Sequence, residues 1–272
     1  MKNVNVIGLA AAVVMALTMA SQAAVLYDVA FAGDTPGTQP PTGAPVAGGT
    51  STHVQWVNPS SGSASLHAWV QSSMTDPVTT NTFGTGSALE LMDQDAVSGY
   101  ASARLVLDDS DKVSTTSSNK IAVITWDMML FNPSSGSNSG KLYLNLRTAA
   151  SGGTLLAQLS FSASSGSVGF YTPVDSGAAD PLSLGTSYSI KVELNYEAST
   201  MRYFVNGAEQ EAVNINPALE FGSADWTTGT TSVLRVGVDN LKIETLEVPE
   251  PGSIGLMIFG GFAVLLSRRI AR

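Results

Sequence analysis

The chain has 272 residues, no cysteine, 13 basic against 22 acidic side chains and a formal net charge of −9. The missing cysteines remove disulfides, thiol nucleophiles and most zinc sites. The acid excess is concentrated between the two ends, because Lys2, Arg268, Arg269 and Arg272 lie in the end segments; such a surface repels phosphate backbones, which argues against nucleic acid as a partner.

Residues 1–23 read as a signal peptide. Lys2 supplies the positive start, Val6 to Met19 form a nearly unbroken apolar run, and Ser21-Gln22-Ala23 offers small residues for cleavage. Cleavage is expected after Ala23, with Ala24 as the alternative. The apolar run is short against the ~20 residues a spanning helix needs, so export through signal peptidase is expected rather than retention.

From Val25 to Leu246 the pattern is period-2 alternation broken by Gly, Ser, Asn and Pro clusters, the mark of strands joined by turns. Strands are expected over 25–31, 64–71, 87–92, 100–107, 120–131, 141–148, 154–161, 168–172, 188–196, 201–205 and 233–246. The stretch 34–45 is Pro- and Gly-rich and reads as irregular. In 188–196, Tyr, Ile, Val, Leu and Tyr fall on one face and Ser, Lys, Glu and Asn on the other, and the following strand closes on Asn206-Gly207, a hairpin signal. In the last strand Leu234, Val236 and Val238 keep even phase while Leu241 and Ile243 keep odd phase, so a bulge at Asp239-Asn240 is expected. About a dozen strands predict an all-β, antiparallel two-sheet sandwich over residues 24–248.

Few residues in this domain carry catalytic chemistry. There are two histidines, His53 and His67, and no serine lies in a Gly-x-Ser-x-Gly elbow. Glu90 and Asp93 are three apart, so on a regular strand they face opposite sides and cannot flank one glycosidic bond; no enzyme activity is expected. Trp226 lies among loop-type residues and is the candidate ligand-stacking aromatic, with burial as the competing reading. No cofactor is expected. A structural calcium ion is the one metal considered, at Asp239 with Asn240, paired across the sandwich with Asp28, against a simple bulge; the acidic run Asp108-Asp109-Ser110-Asp111 reads as a solvated turn.

After Val248 come Pro249-Glu250-Pro251, an apolar run from Ile254 to Leu266, and a tip holding Arg268, Arg269 and Arg272. The prolines hold an extended, accessible segment, and the arginines favour the cytoplasmic side of a membrane. The apolar run is again short for a comfortable span, and a plain membrane anchor is the alternative reading.

The tail 249–272 resembles the PEP-CTERM sorting signal: a Pro-Glu-Pro triplet, a short transmembrane helix and a basic tip. That resemblance implies recognition by an exosortase, cleavage near Pro249-Glu250-Pro251, an inner-membrane intermediate, and delivery to the cell surface or extracellular matrix of a Gram-negative bacterium. Within the domain, Asp34-Thr35-Pro36-Gly37, the stretch from Leu184 through Asn206-Gly207, and Val236 to Ile243 resemble exported proteins with concanavalin A-like or laminin-G-like jelly-roll domains. The expected function is therefore a non-catalytic, exosortase-sorted protein whose jelly roll serves adhesion or contact with extracellular polysaccharide. The alternatives are a lectin using Trp226 and a glycan-active hydrolase.

Overall fold

A computed structural model describes residues 23–29, 31, 66–93, 100–132, 140–149, 153–174, 176–177, 180–229 and 233–247. The signal peptide before Ala23, the Pro-rich stretch 34–45 and the sorting tail with Pro249, Glu250, Pro251, Arg268 and Arg269 lie outside the described residues. Among the described residues there are fourteen strands, and no helix is long and apolar enough to cross a membrane.

In chain order the strands are β1 (Ala23–Val29), β2 (Leu66–Thr75), β3 (Thr82–Asp93), β4 (Ser102–Val106), β5 (Asn119–Leu130), β6 (Lys141–Arg147), β7 (Leu155–Ser162), β8 (Ser167–Tyr171), β9 (Asp180–Pro181), β10 (Ser187–Asn195), β11 (Thr200–Val205), β12 (Ala208–Asn214), β13 (Ser223–Thr228) and β14 (Leu234–Glu247). They form two antiparallel sheets. The larger runs β12-β11-β10-β5-β14-β3-β2, with β1 also on β14, and the smaller runs β4-β13-β6-β7-β8-β9. The inward side chains of both merge into one core, sealed where Trp126 of β5 meets Trp226 of β13 edge-on at 5.8 Å and Phe161 of β7 at 6.3 Å.

The local signals act as chemistry predicts. Asn206 and Gly207 both take positive φ, 50° and 81°, which gives the two-residue turn whose twist matches a hairpin. On β14, Leu234 to Val238 pair with β3 and Leu241 to Leu246 pair with β1, so one long strand serves two neighbours laid end to end. Between them three residues of β14 span two of β5, and Asn240 absorbs the extra residue at φ 51°. This expected bulge keeps Val238 and Leu241 both pointing inward.

Three strands escape the alternation. β9 has two residues, and β12 is a polar edge strand held by the register of the preceding turn. β13 reads as a loop because it is built of Ser, Ala, Asp and Thr around one Trp, yet it lies between β4 and β6.

One end of the larger sheet's outer face is roofed. Near Met74 two residues of β2 span four of β3, and the hairpin bends so that Met74 and Phe83 pack on Met129 and Phe131. Gly237 leaves room for them: a Cβ there would lie 2.7 Å from Met74 Cε and 2.8 Å from Phe83 Cε1. The tip is pinned by Asp76, which is fully buried and accepts hydrogen bonds from the backbone N–H groups of Val78 (2.9 Å), Thr79 (2.7 Å) and Asn132 (2.6 Å) and from Asn132 Nδ2 (3.1 Å).

Burial by itself would raise the Asp76 pKa. The N–H groups of Thr79 and Asn132, the Asn132 amide and the Val78 N–H outweigh it and lower the pKa from 3.8 to about 2. A carboxyl depressed on folding stabilises the protein above its unfolded pKa and loses that contribution as pH falls through the folded one. We expect a loss of roughly 2 kcal/mol between pH ~4 and pH ~2, absent in Asp76→Asn, with the variant less stable at neutral pH. Chemical denaturation across that range checks it; identical acid limbs in the two proteins would refute the assignment.

Candidate functional site

The residues expected to form a site are not brought together. Trp226 is a correction: it alternates inward with Ala224 and Thr228, is 0% exposed, and offers no platform to a ligand. The signal was present as the period-2 pattern Ala224, Trp226, Thr228 against Asp225 and Thr227. Asp28 and Asp239 are a second correction, since they lie on paired strands of the same sheet and not across the sandwich. Asp28 is exposed opposite Lys242, whereas Asp239 sits at the bulge facing Asp127. Burial raises the Asp239 pKa against the N–H groups of Asn240 and Phe31, which it accepts. Among the described residues no group of three or more His, Cys, Asp or Glu side chains is placed to hold a metal ion. Asp109 of the acidic turn pairs with Lys112 at 2.7 Å. Ala23, the expected cleavage residue, is the first residue of β1, opposite Leu246.

The two carboxylates weighed for glycoside chemistry are both buried and engaged. Glu90 points to the outer face of the larger sheet and is ion-paired with Arg235, whose guanidinium lies 4.6 Å over the Phe131 ring. Asp93 points inward and accepts a hydrogen bond from Thr228 Oγ1 at 3.1 Å. They face opposite sides of β3, as the spacing predicts.

The outer faces of the two sheets differ in how their charge is used. On the larger sheet every outward cation is matched by a carboxylate: Lys191 and Arg202 by Glu193, Arg202 also by Glu209, Arg235 by Glu90, and Lys242 by Glu244. The smaller sheet instead carries a row of planar polar side chains at one register level. Asp225 of β13 lies opposite Arg104 of β4 on one side and Asn145 of β6 on the other; Asn145 lies opposite Gln158 of β7, and Gln158 opposite Tyr171 of β8. Four gaps of ~4.8 Å make this row about 19 Å long.

The row is partly wired. Arg104 Nη2 donates to Asp225 Oδ2 at 2.9 Å and Gln158 Nε2 to Asn145 Oδ1 at 2.7 Å. Asp225 and Asn145 are each 4% exposed, and Tyr171 at the end of the row is 47% exposed. Burial raises the Asp225 pKa, opposed by Arg104 and by the more distant Arg147. Among the described residues its Oδ1 and the Ser102 Oγ, on the same face of β4, meet no hydrogen-bond partner, a cost of about 1–3 kcal/mol each. None of these residues was visible as a site in the sequence, because the row runs across five strands and no two members are near in the chain.

No family model matches this chain, and no curated relative matches it. Solved structures match it at low identity. A carbohydrate esterase of the Shiga toxin-encoding bacteriophage phi24B is 9% identical over 83% of this chain and 100% of its own, with TM-score 0.51. The carbohydrate-binding module CBM66 from Bacillus subtilis is 12% identical over 70% of this chain and 94% of its own, with TM-score 0.38. A sialidase is 13% identical over 64% of this chain, with TM-score 0.47, and the match spans only 16% of that enzyme.

A buried ion pair is an inefficient way to stabilise a sheet, because desolvation offsets most of the attraction. We therefore expect Asp225→Asn alone to destabilise by about 3 kcal/mol, through the guanidinium left behind, and the double variant Arg104→Met, Asp225→Leu to recover most of it. Denaturant midpoints of the three proteins check this, and a double variant no better than the single one would contradict it.

Proposed function

We propose that this chain is a non-catalytic exported protein whose concanavalin A-like jelly roll contacts extracellular polysaccharide through the outer face of its smaller sheet. The observation that carries the reading is the exposed ring of Tyr171 beside the half-buried Gln158, at the open end of the row that starts at Arg104, Asp225 and Asn145. Sugar recognition uses such parts: planar groups that exchange hydrogen bonds with adjacent hydroxyls, and an aromatic face for the C–H side of a ring. Tyr171 takes the stacking role expected of Trp226. The occupied Glu90 and inward Asp93 support a binding role over hydrolysis, and the similar fold of a carbohydrate esterase agrees with a glycan as partner. The tail supports sorting by an exosortase, after removal of the signal peptide by signal peptidase, through an inner-membrane intermediate to the cell surface or matrix of a Gram-negative bacterium.

Two measurements test the proposal. A polysaccharide panel is expected to yield at least one ligand whose affinity falls about tenfold, or ~1.4 kcal/mol, in Tyr171→Ala at unchanged thermal stability. Failure of every polysaccharide to bind, or binding indifferent to Tyr171, would overturn the glycan reading. For the tail, the surface form is expected to lack Arg268, Arg269 and Arg272, and replacing Pro249-Glu250-Pro251 by alanines is expected to trap an uncleaved membrane form. Intact mass of the surface protein decides it, since a species retaining residues 252–272 means a plain anchor.

A further inference from the structure

The charge on the candidate face narrows the class of polysaccharide. Outside its end segments the chain holds nine basic residues, and three of them, Arg104, Lys141 and Arg147, project from the smaller sheet's outer face. Strands β4, β13, β6, β7 and β8 carry a single acid, Asp225, and it pairs with Arg104. In a chain with 22 acidic and 13 basic side chains, this is a local reversal of sign.

Arg147 is the informative residue. It ends β6, two positions beyond Asn145 on the same face and about 7 Å along the strand. Its described contact is one hydrogen bond from Nη1 to the Gly153 carbonyl at 3.0 Å, and among the described residues it makes no ion pair. A guanidinium has five N–H donors in a planar fork, so one hydrogen bond leaves donors with which it can meet a ligand. All the outward cations of the larger sheet, by contrast, are closed by a neighbouring carboxylate.

We infer that this face takes an anionic, carboxylate-bearing polysaccharide, with Arg147 meeting a uronate carboxylate while the half-buried Gln158 meets the ring hydroxyls and Tyr171 stacks. The inference rests on the glycan-contact reading above. A carboxylate fits the fork in two parallel hydrogen bonds, which a neutral sugar cannot supply. The acidic remainder of the protein repels any polyanion lying elsewhere on it, so the ligand is confined to this face.

The purified full-length chain is titrated with polygalacturonate, dextran sulfate and neutral dextran at about 0.05 M and about 0.5 M salt, so that screening separates ionic from neutral contacts. Polygalacturonate is expected to bind best, weakening at high salt. Arg147→Gln is expected to lose about tenfold in affinity and Arg147→Lys, which keeps the charge without the fork, to fall between. Lys141→Gln, at an exposed position, gives the charge effect independently should the loop at Gly153 depend on Arg147 for folding.

Neutral dextran bound as tightly as polygalacturonate, with Arg147→Gln unchanged, would overturn the anionic inference and leave glycan contact standing. Dextran sulfate bound equally well, with Arg147→Lys as good as Arg147, would reduce the site to unspecific charge attraction and overturn the carboxylate assignment. Loss of all binding to every polysaccharide would overturn both readings together.

Discussion

Two sheets with no disulfide between them are held by the side chains they bury against each other, and the contact on which the rest depends is Trp126 against Trp226. The two indoles come from opposite sheets, are fully buried, and meet at 82° between planes. Rings of this size each remove about 150–250 Å² from water, and an edge-to-face pair adds to that a preference for one relative position of the sheets. Both indole N–H groups are buried without a partner, so the pair acts through shape and apolar area alone. A second tie lies between the sheets' far strands, where Phe170 of β8 meets Tyr203 of β11 at 4.5 Å and the Tyr203 hydroxyl donates to Asp180 of β9.

That arrangement dictates which residues face outward. Because Trp226 is committed to the core, Asp225 beside it must project from the outer face, where it meets Arg104 and Asn145 on the flanking strands. The polar row is thus the other side of the packing. On β14 the same constraint acts through the bulge: keeping Val238 and Leu241 inward costs an extra residue at Asn240 and presses Asp239 into a buried position, where backbone N–H groups hold it. A carboxylate that looks in sequence like a cation ligand is a by-product of strand register.

The two outer faces then divide their roles. The larger sheet is closed at one end by the β2–β3 hairpin over Gly237 and elsewhere by paired charges, which makes it self-sufficient. On the smaller sheet the exposed Tyr171 ends the row, and Arg147, two residues along β6 from it, makes no ion pair among the described residues.

The sequence by itself determined the fold class, most strand positions, the Asn206-Gly207 hairpin and the Asp239-Asn240 bulge, since each depends on short-range physics: alternation of period two, positive φ at Asn and Gly, and a one-residue change of phase. It also opposed Glu90 to Asp93 by parity alone. Only the tertiary structure decided that β13 is a strand between β4 and β6, because its alternation of Ala224, Trp226 and Thr228 against Asp225 and Thr227 is short and weakly apolar, and its place comes from two neighbours far away in the chain. The same holds for the site. Arg104, Asn145, Gln158, Tyr171 and Asp225 are drawn from five strands by register, and register between strands distant in sequence is settled by which faces bury together.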